Sequence, residues 1–272
     1  MHDLGEYRRP WAFFGLSIAI PWAFWLAAAW LSHHPGAMPR QTLVGSVFGV
    51  LGICAPMLTA FALILPNRKL RADCWRRLFN FGSGKPVYWL IALLLMPASI
   101  LLAIAISLFF GFDIAQFQIA SKPSFTAGAL SPWAILIWVP IIEEFAWHTY
   151  GTDALRNRFN LFTTSLIFSP YWGAWHVPLA LIRGYYQSNL VHTGLWVSLN
   201  FLISVFPFAF LMNWLYYRAG RNIWIAVLFH VTAGFFNELF SPHPDTKLFQ
   251  TAILLVVTAV VVIWNRRLFF AK

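Results

Sequence analysis

Six ionisable side chains stand where the surrounding sequence is apolar: Glu143, Glu144, Glu238, His148, His176 and His230. Carboxylates and imidazoles in dry surroundings activate water for attack on a carbonyl, relay protons, or ligate zinc. Adjacent residues on a helix diverge by about 100°, so Glu143 and Glu144 cannot both address one atom. One can act at a site while the other orients a partner. No Lys or Arg lies within reach in the same stretch, and His148, four residues after Glu144, is the nearest counter-group. His176 follows Trp172 by four residues, which places both on one helix face. Pro178 removes a hydrogen bond from that helix and frees a carbonyl near Ala174, a usual sign of a kink or cavity. His230 shares a face with Gly234, and Asn237 returns to nearly the same azimuth.

The elements that must position these groups are membrane helices. The chain has 272 residues, 60% of them apolar and only 10% charged, against about 25% charged in an ordinary soluble domain. An aromatic content of 18% excludes a disordered chain. Eight apolar stretches are long enough to cross about 30 Å of hydrocarbon, near Trp11–Leu31, Leu43–Leu65, Tyr88–Phe110, Trp133–Tyr150, Leu161–Ile182, Leu195–Tyr217, Asn222–Phe240 and Leu248–Trp264. The expected fold is all-α, a polytopic membrane protein of about eight transmembrane helices forming a single domain over residues 1–272. A charged carboxylate at the centre of a lipid-facing helix costs about 2.5–3.5 kcal/mol, so Glu143, Glu144 and Glu238 are expected to face protein or water. The first stretch reads as a retained helix. Its apolar run is too long for a secretion signal, and Ser32–Met38 lacks a small-x-small cleavage site.

The 19 Lys and Arg residues alternate by loop. Fifteen fall in the N-terminal tail, residues 68–85, 156–158 and 218–221, and the C-terminal tail; only Arg40, Lys122, Arg183 and Lys247 fall in the other set. This bias predicts both termini in the cytoplasm. The net charge of +10 is then explained by topology and attraction to anionic lipid, with no nucleic-acid partner. Arg68–Arg77, interleaved with Trp75 and followed by Phe79 and Phe81, reads as an interfacial amphipathic segment. The remaining acids and histidines, Asp3 and His2 among them, belong to loops or tails. Two cysteines, Cys54 and Cys74, support neither a disulfide framework nor a four-thiolate zinc site.

The ordered motifs resemble those of the CPBP (or Abi) family of intramembrane proteases, which includes the type II CAAX prenyl endopeptidases. That family pattern is a Glu-Glu pair with Arg four residues after its second glutamate, then aromatic-x-x-x-His, then His-x-x-x-Asn/Asp. Here the motifs read Glu143-Glu144-Phe145-Ala146-Trp147-His148, Trp172-Gly173-Ala174-Trp175-His176 and His230-Val231-Thr232-Ala233-Gly234. His148 replaces the Arg, and Gly234 replaces the amide or acid. The resemblance covers a catalytic core of about residues 133–240 and implies a conical intramembrane active-site cavity. It implies an intramembrane endopeptidase acting on a membrane-associated protein or peptide, as its prenyl endopeptidase relatives cut after a prenylated cysteine near a C-terminus. By resemblance, Glu143 activates water and Glu144 or His148 orients it or its neighbours. His176 positions water or peptide, and His230 stabilises the oxyanion, with Asn237 in place of the missing amide. Trp147, Trp172 and Trp175 are the candidate substrate-contacting aromatics. This scheme needs no cofactor, while a zinc scheme would use His176, His230 and Glu143 as ligands.

Two readings from other classes stay open at this point. Because of His148 and Gly234, a catalytically silent membrane scaffold fits the motifs. A proton-coupled transporter fits the buried acids, but no repeated halves accompany them. Depth poses a geometric condition on the site. Counted from the basic side, Glu143 and His230 lie roughly 12–13 Å deep and His176 roughly 23–24 Å by helix rise. The three meet only if the fifth helix tilts or breaks, for which Ser169-Pro170 offers a place.

Overall fold

A computed structural model describes residues 4–34, 39–82 and 84–271. His2, Asp3 and Lys272 lie outside the described residues, as do residues 35–38 and the side chain of Arg40. Regular structure among the described residues is helical: α1 Pro10–Ser32, α2 Pro39–Ile64, α3 Arg68–Leu78, α4 Pro86–Leu108, α5 Pro132–Ala146 and α6 Thr152–Arg156. There follow α7 Leu161–Trp175, α8 Tyr186–Thr193, α9 Leu195–Arg218, α10 Ile223–Leu239, α11 Thr246–Trp264 and α12 Arg266–Phe270. Isolated bridges join Ile119 to Phe240 and Ala127 to Leu130.

Local chemistry accounts for where many helices begin. Pro10, Pro86 and Pro132 open α1, α4 and α5, where a missing N–H costs nothing. Asn67, Asn160 and Asn222 cap α3, α7 and α10 by accepting backbone N–H groups of the first turn. Most of the longer helices also carry an internal proline, which membrane helices tolerate when neighbours satisfy the freed backbone.

Among the described residues, five helices are long and apolar enough to cross a membrane: α1, Gln41–Ile64 of α2, α4, α9 and α11. The other three expected spans fall short of that length. α5 and α7 have 15 residues each and α10 has 17, and these are the helices that carry the three motifs. Each stops where the backbone must do something else. α5 passes into a turn of different winding at Trp147. α7 runs unbroken through Pro170 and ends at Trp175, so the break comes at the Pro178 step and not at Ser169-Pro170. Val177–Leu181 then continue as a short 3₁₀ turn.

Two basic residues assigned to different loops, Arg77 and Arg221, meet on the same pair of aspartates. α3 buries Leu70, Cys74 and Leu78 and exposes most of its charges, as an amphipathic segment should. Its Arg77 is the exception. That guanidinium is buried and donates to Tyr7 Oη at 2.7 Å and Tyr216 Oη at 2.6 Å, with Asp153 at 3.2 Å and Asp73 at 3.0 Å. Arg221 pairs with the same two aspartates, reaching Asp73 at 2.8 Å. Its backbone sits at φ +66°, in the left-handed region that a non-glycine residue enters only when its surroundings hold it there. This lattice ties the N-terminal tail, α3, α6 and the α9–α10 turn together behind the motif helices.

Candidate active site

Glu143 and Glu144 occupy the last turn of α5, and the next five residues, Trp147–Gly151, wind as a π turn. Such turns inside helices concentrate at functional sites. Arg77 donates to the carbonyls of His148 and Thr149, at 2.6 and 2.9 Å, and Tyr216 Oη lies 2.9 Å from the His148 carbonyl. Gly151 is required for close approach here, since a Cβ on it would lie 2.7 Å from Phe13 Cε1.

The two glutamates point apart, as their spacing requires. Glu143, 4% exposed, accepts the indole N–H of Trp147 at 3.2 Å and of Trp172 at 3.0 Å, both on Oε2. Oε1 is left for the cavity that Glu143 lines. Glu144 is fully buried and bridges two histidines, with His148 Nδ1 on Oε2 and His230 Nδ1 on Oε1 at 2.7 Å. The second ring nitrogen of His148 faces Asn213 Oδ1 at 3.0 Å, and Asn213 Nδ2 donates to Ser165 Oγ at 3.0 Å. Oxygens at both nitrogens form the pattern that an imidazolium satisfies, so His148 can present N–H donors where the family pattern has a guanidinium.

His176 caps the end of α7, with Nδ1 2.7 Å from the Trp172 carbonyl. A carbonyl only accepts, so Nδ1 carries the proton and Nε2 is left as an acceptor. Trp172 connects the two cavity histidines, its ring 5.7 Å from that of His176 and 5.2 Å from that of His230. The depth mismatch is met in this way. It is Trp172, one turn before His176, that reaches Glu143.

A cavity of about 250 Å³ gathers these groups. Glu143, Trp172, Trp175, His176, His230, Gly234 and Asn237 line it, with apolar side chains of α5 and α9 opposite. Glu144 and His148 do not line it and sit behind Glu143 and His230. Trp147, expected among the substrate-contacting aromatics, is fully buried and serves as a donor to Glu143. Asn237 lies too far along α10 to stand beside His230, and its Nδ2 donates to Ala233 O at 2.8 Å in its own helix. No group of three His, Cys, Asp or Glu side chains suited to a metal ion forms among the described residues. Of the zinc set of His176, His230 and Glu143, Glu143 Oε2 is engaged by two indoles and His230 Nδ1 by Glu144.

Three contributors carried only faint signals in the sequence. Trp147 follows Glu143 by four residues, a spacing that puts donor and acceptor on one face. Asn213 is a lone amide deep in an apolar stretch, which marks a buried partner. Arg77 looked like one more surface cation.

An all-helical membrane protein with a buried glutamate–histidine cluster on an internal cavity is the class that fold and site define together. The model of the family "Type II CAAX prenyl endopeptidase Rce1-like" matches residues 125–236, which contain both glutamates, His176 and His230. CAAX prenyl protease 2 of Methanococcus maripaludis is 30% identical over 274 residues, covering 99% of this chain and 99% of that protein. The chain belongs to the Rce1-like type II CAAX prenyl endopeptidase family.

Proposed function

We propose that the chain is an intramembrane endopeptidase that hydrolyses a peptide bond near the C-terminus of a prenylated, CAAX-type protein, using water activated by Glu143. The observation that carries this reading is the state of Glu143, buried on the cavity wall with Oε2 fixed by two indoles and Oε1 free to act. A carboxylate held in one orientation can take a proton from water as the water oxygen attacks the scissile carbonyl carbon. His176 Nε2, an acceptor, orients that water. His230, held by Glu144, stabilises the oxyanion through its other ring nitrogen. The proton taken up by Glu143 then passes to the leaving amine as the C–N bond breaks. The scheme routes no step through a metal, and it places the reaction in the conical chamber expected of the family. It also has both termini in the cytoplasm, from the loop charges.

Detergent-purified full-length chain should cleave a quenched farnesylated CAAX peptide. Glu143→Ala should lose that activity, and a zinc chelator should leave the wild type unaffected. Chelator-sensitive cleavage would replace glutamate with metal catalysis. No cleavage by folded wild type would favour the scaffold reading, for which the side-chain-less Gly234 in the third motif is the supporting observation.

A further inference from the structure

Asn237 stands seven residues beyond His230 on the same face of α10, about 10.5 Å further along by helix rise. Its Nδ2 is engaged by Ala233 O, while its Oδ1 is buried and has no hydrogen-bond partner. Gln187, on α8, also buries its Oε1 without a partner and lines the same cavity. A buried carbonyl oxygen left unpaired is destabilising, so two of them on one cavity define a place that N–H donors complete. Between His230 and these acceptors, α10 turns Ala233 and Gly234 toward the cavity. Across from Gly234 is Leu136 of α5, whose Cδ2 would meet a Cβ there at 3.4 Å. Between His230 and Asn237, α10 thus presents to the cavity nothing larger than the Ala233 methyl, with Leu136 flanking Gly234 from α5. An extended peptide advances about 3.3 Å per residue, so three residues cover about 10 Å. That is the distance from His230 to Asn237.

We propose that the track from His230 past Ala233 and Gly234 to Asn237 and Gln187 binds the three residues on the C-terminal side of the scissile bond. Asn237 Oδ1 and Gln187 Oε1 accept main-chain N–H groups at its far end. Recognition by backbone makes the subsite sensitive to the length of the tail and tolerant of its side chains. The inference rests on the peptidase reading for the nature of its ligand.

The test uses full-length protein carrying Glu143→Gln, which holds peptide without turnover. Two probes are compared, a fluorescent farnesylated CAAX peptide and its analogue with an ester oxygen in place of the N–H of the final residue. Asn237→Leu and, separately, Gln187→Leu should each be added to this background, with melting temperature confirming the fold. At least one should weaken the amide peptide by about three- to tenfold, the value of one net hydrogen bond, and leave binding of the ester unchanged. With Glu143 intact, the same change should appear in KM and not in kcat. Equal effects on amide and ester, no effect of either variant, or no binding of either probe would overturn the subsite. Asn237-dependent binding without any wild-type cleavage would instead overturn the peptidase reading and leave the subsite standing.

Discussion

Asp153 and Glu143 are buried carboxylates ten residues apart on one nearly continuous helical path, and they are held in opposite ways. Asp153 has donors on both oxygens: Tyr217 at 2.9 Å on one, Tyr216 at 2.9 Å on the other, and the Arg221 guanidinium across both. Arg77 adds a second guanidinium at 3.2 Å. Nothing in that lattice is left to react. Glu143 has two neutral indoles on a single oxygen, faces a cavity, and is backed by a second carboxylate whose partners are histidines. Guanidinium keeps its proton throughout the accessible range, so the lattice is fixed charge, whereas imidazole and a half-engaged carboxylate can exchange protons. One end of the path is built to hold still, and the other to do chemistry on the frame so held.

The largest effect should come from breaking the lattice. Arg77→Met leaves buried aspartates and the His148 and Thr149 carbonyls short of a donor, and removing one partner of a buried pair costs about 3–5 kcal/mol. Thermal unfolding in detergent should show a large drop in Tm, with Arg77→Lys recovering part of it. At the site, Trp172→Phe removes one of two N–H donors on Glu143 while keeping an aromatic ring at that position. A hydrogen bond to a charged group is worth about 1.5–3 kcal/mol, so kcat should fall by about tenfold or more while Tm holds. Gly234→Asn sharpens the comparison in the other direction. The cavity wall has ordinary room for a Cβ there, and the new amide would stand one turn from His230. An aligned oxyanion donor is worth about 10²–10³ in kcat, so kcat should rise by roughly tenfold for an unoptimised one, while the added side chain narrows the track past Ala233 and raises KM.

The smallest effect concerns pH. Burial pushes the Asp73 carboxyl up, but Arg77 and Arg221 outweigh it and hold its pKa below the ordinary 3.8. A depressed folded-state pKa contributes stability that is present above 3.8 and lost as pH falls through the folded value. Tm of the wild type should therefore decline in that acid range, and Asp73→Asn should start lower and decline less.

Much of this was legible from residue types. The Glu-Glu pair, His176 and His230 announced themselves because ionisable groups are costly in apolar helices. Helix length was less legible. The three motif helices look like full spans by apolarity, but hydropathy does not register the π turn after Glu144 or the end of α7 at Trp175. Long-range partners were the least visible. Arg77 reaching the His148 carbonyl, Asn213 supporting His148 and Trp172 donating to Glu143 join residues 71, 65 and 29 positions apart, and no periodicity carries such information. Asn237 shows the limit of helical phase. Its azimuth matched that of His230, yet seven residues of rise carried it to the far end of the cavity.

The division between a fixed lattice and a reactive site is tested most directly by hydrolysis of the farnesylated CAAX peptide per folded molecule, with Glu143→Gln and Asp153→Asn assayed beside the wild type. The expected result is that Glu143→Gln keeps its Tm and loses at least about 100-fold in turnover, the scale of a general base. Asp153→Asn should lose Tm, yet each molecule still folded should turn over peptide within a few-fold of the wild type. Full turnover by folded Glu143→Gln would contradict the account.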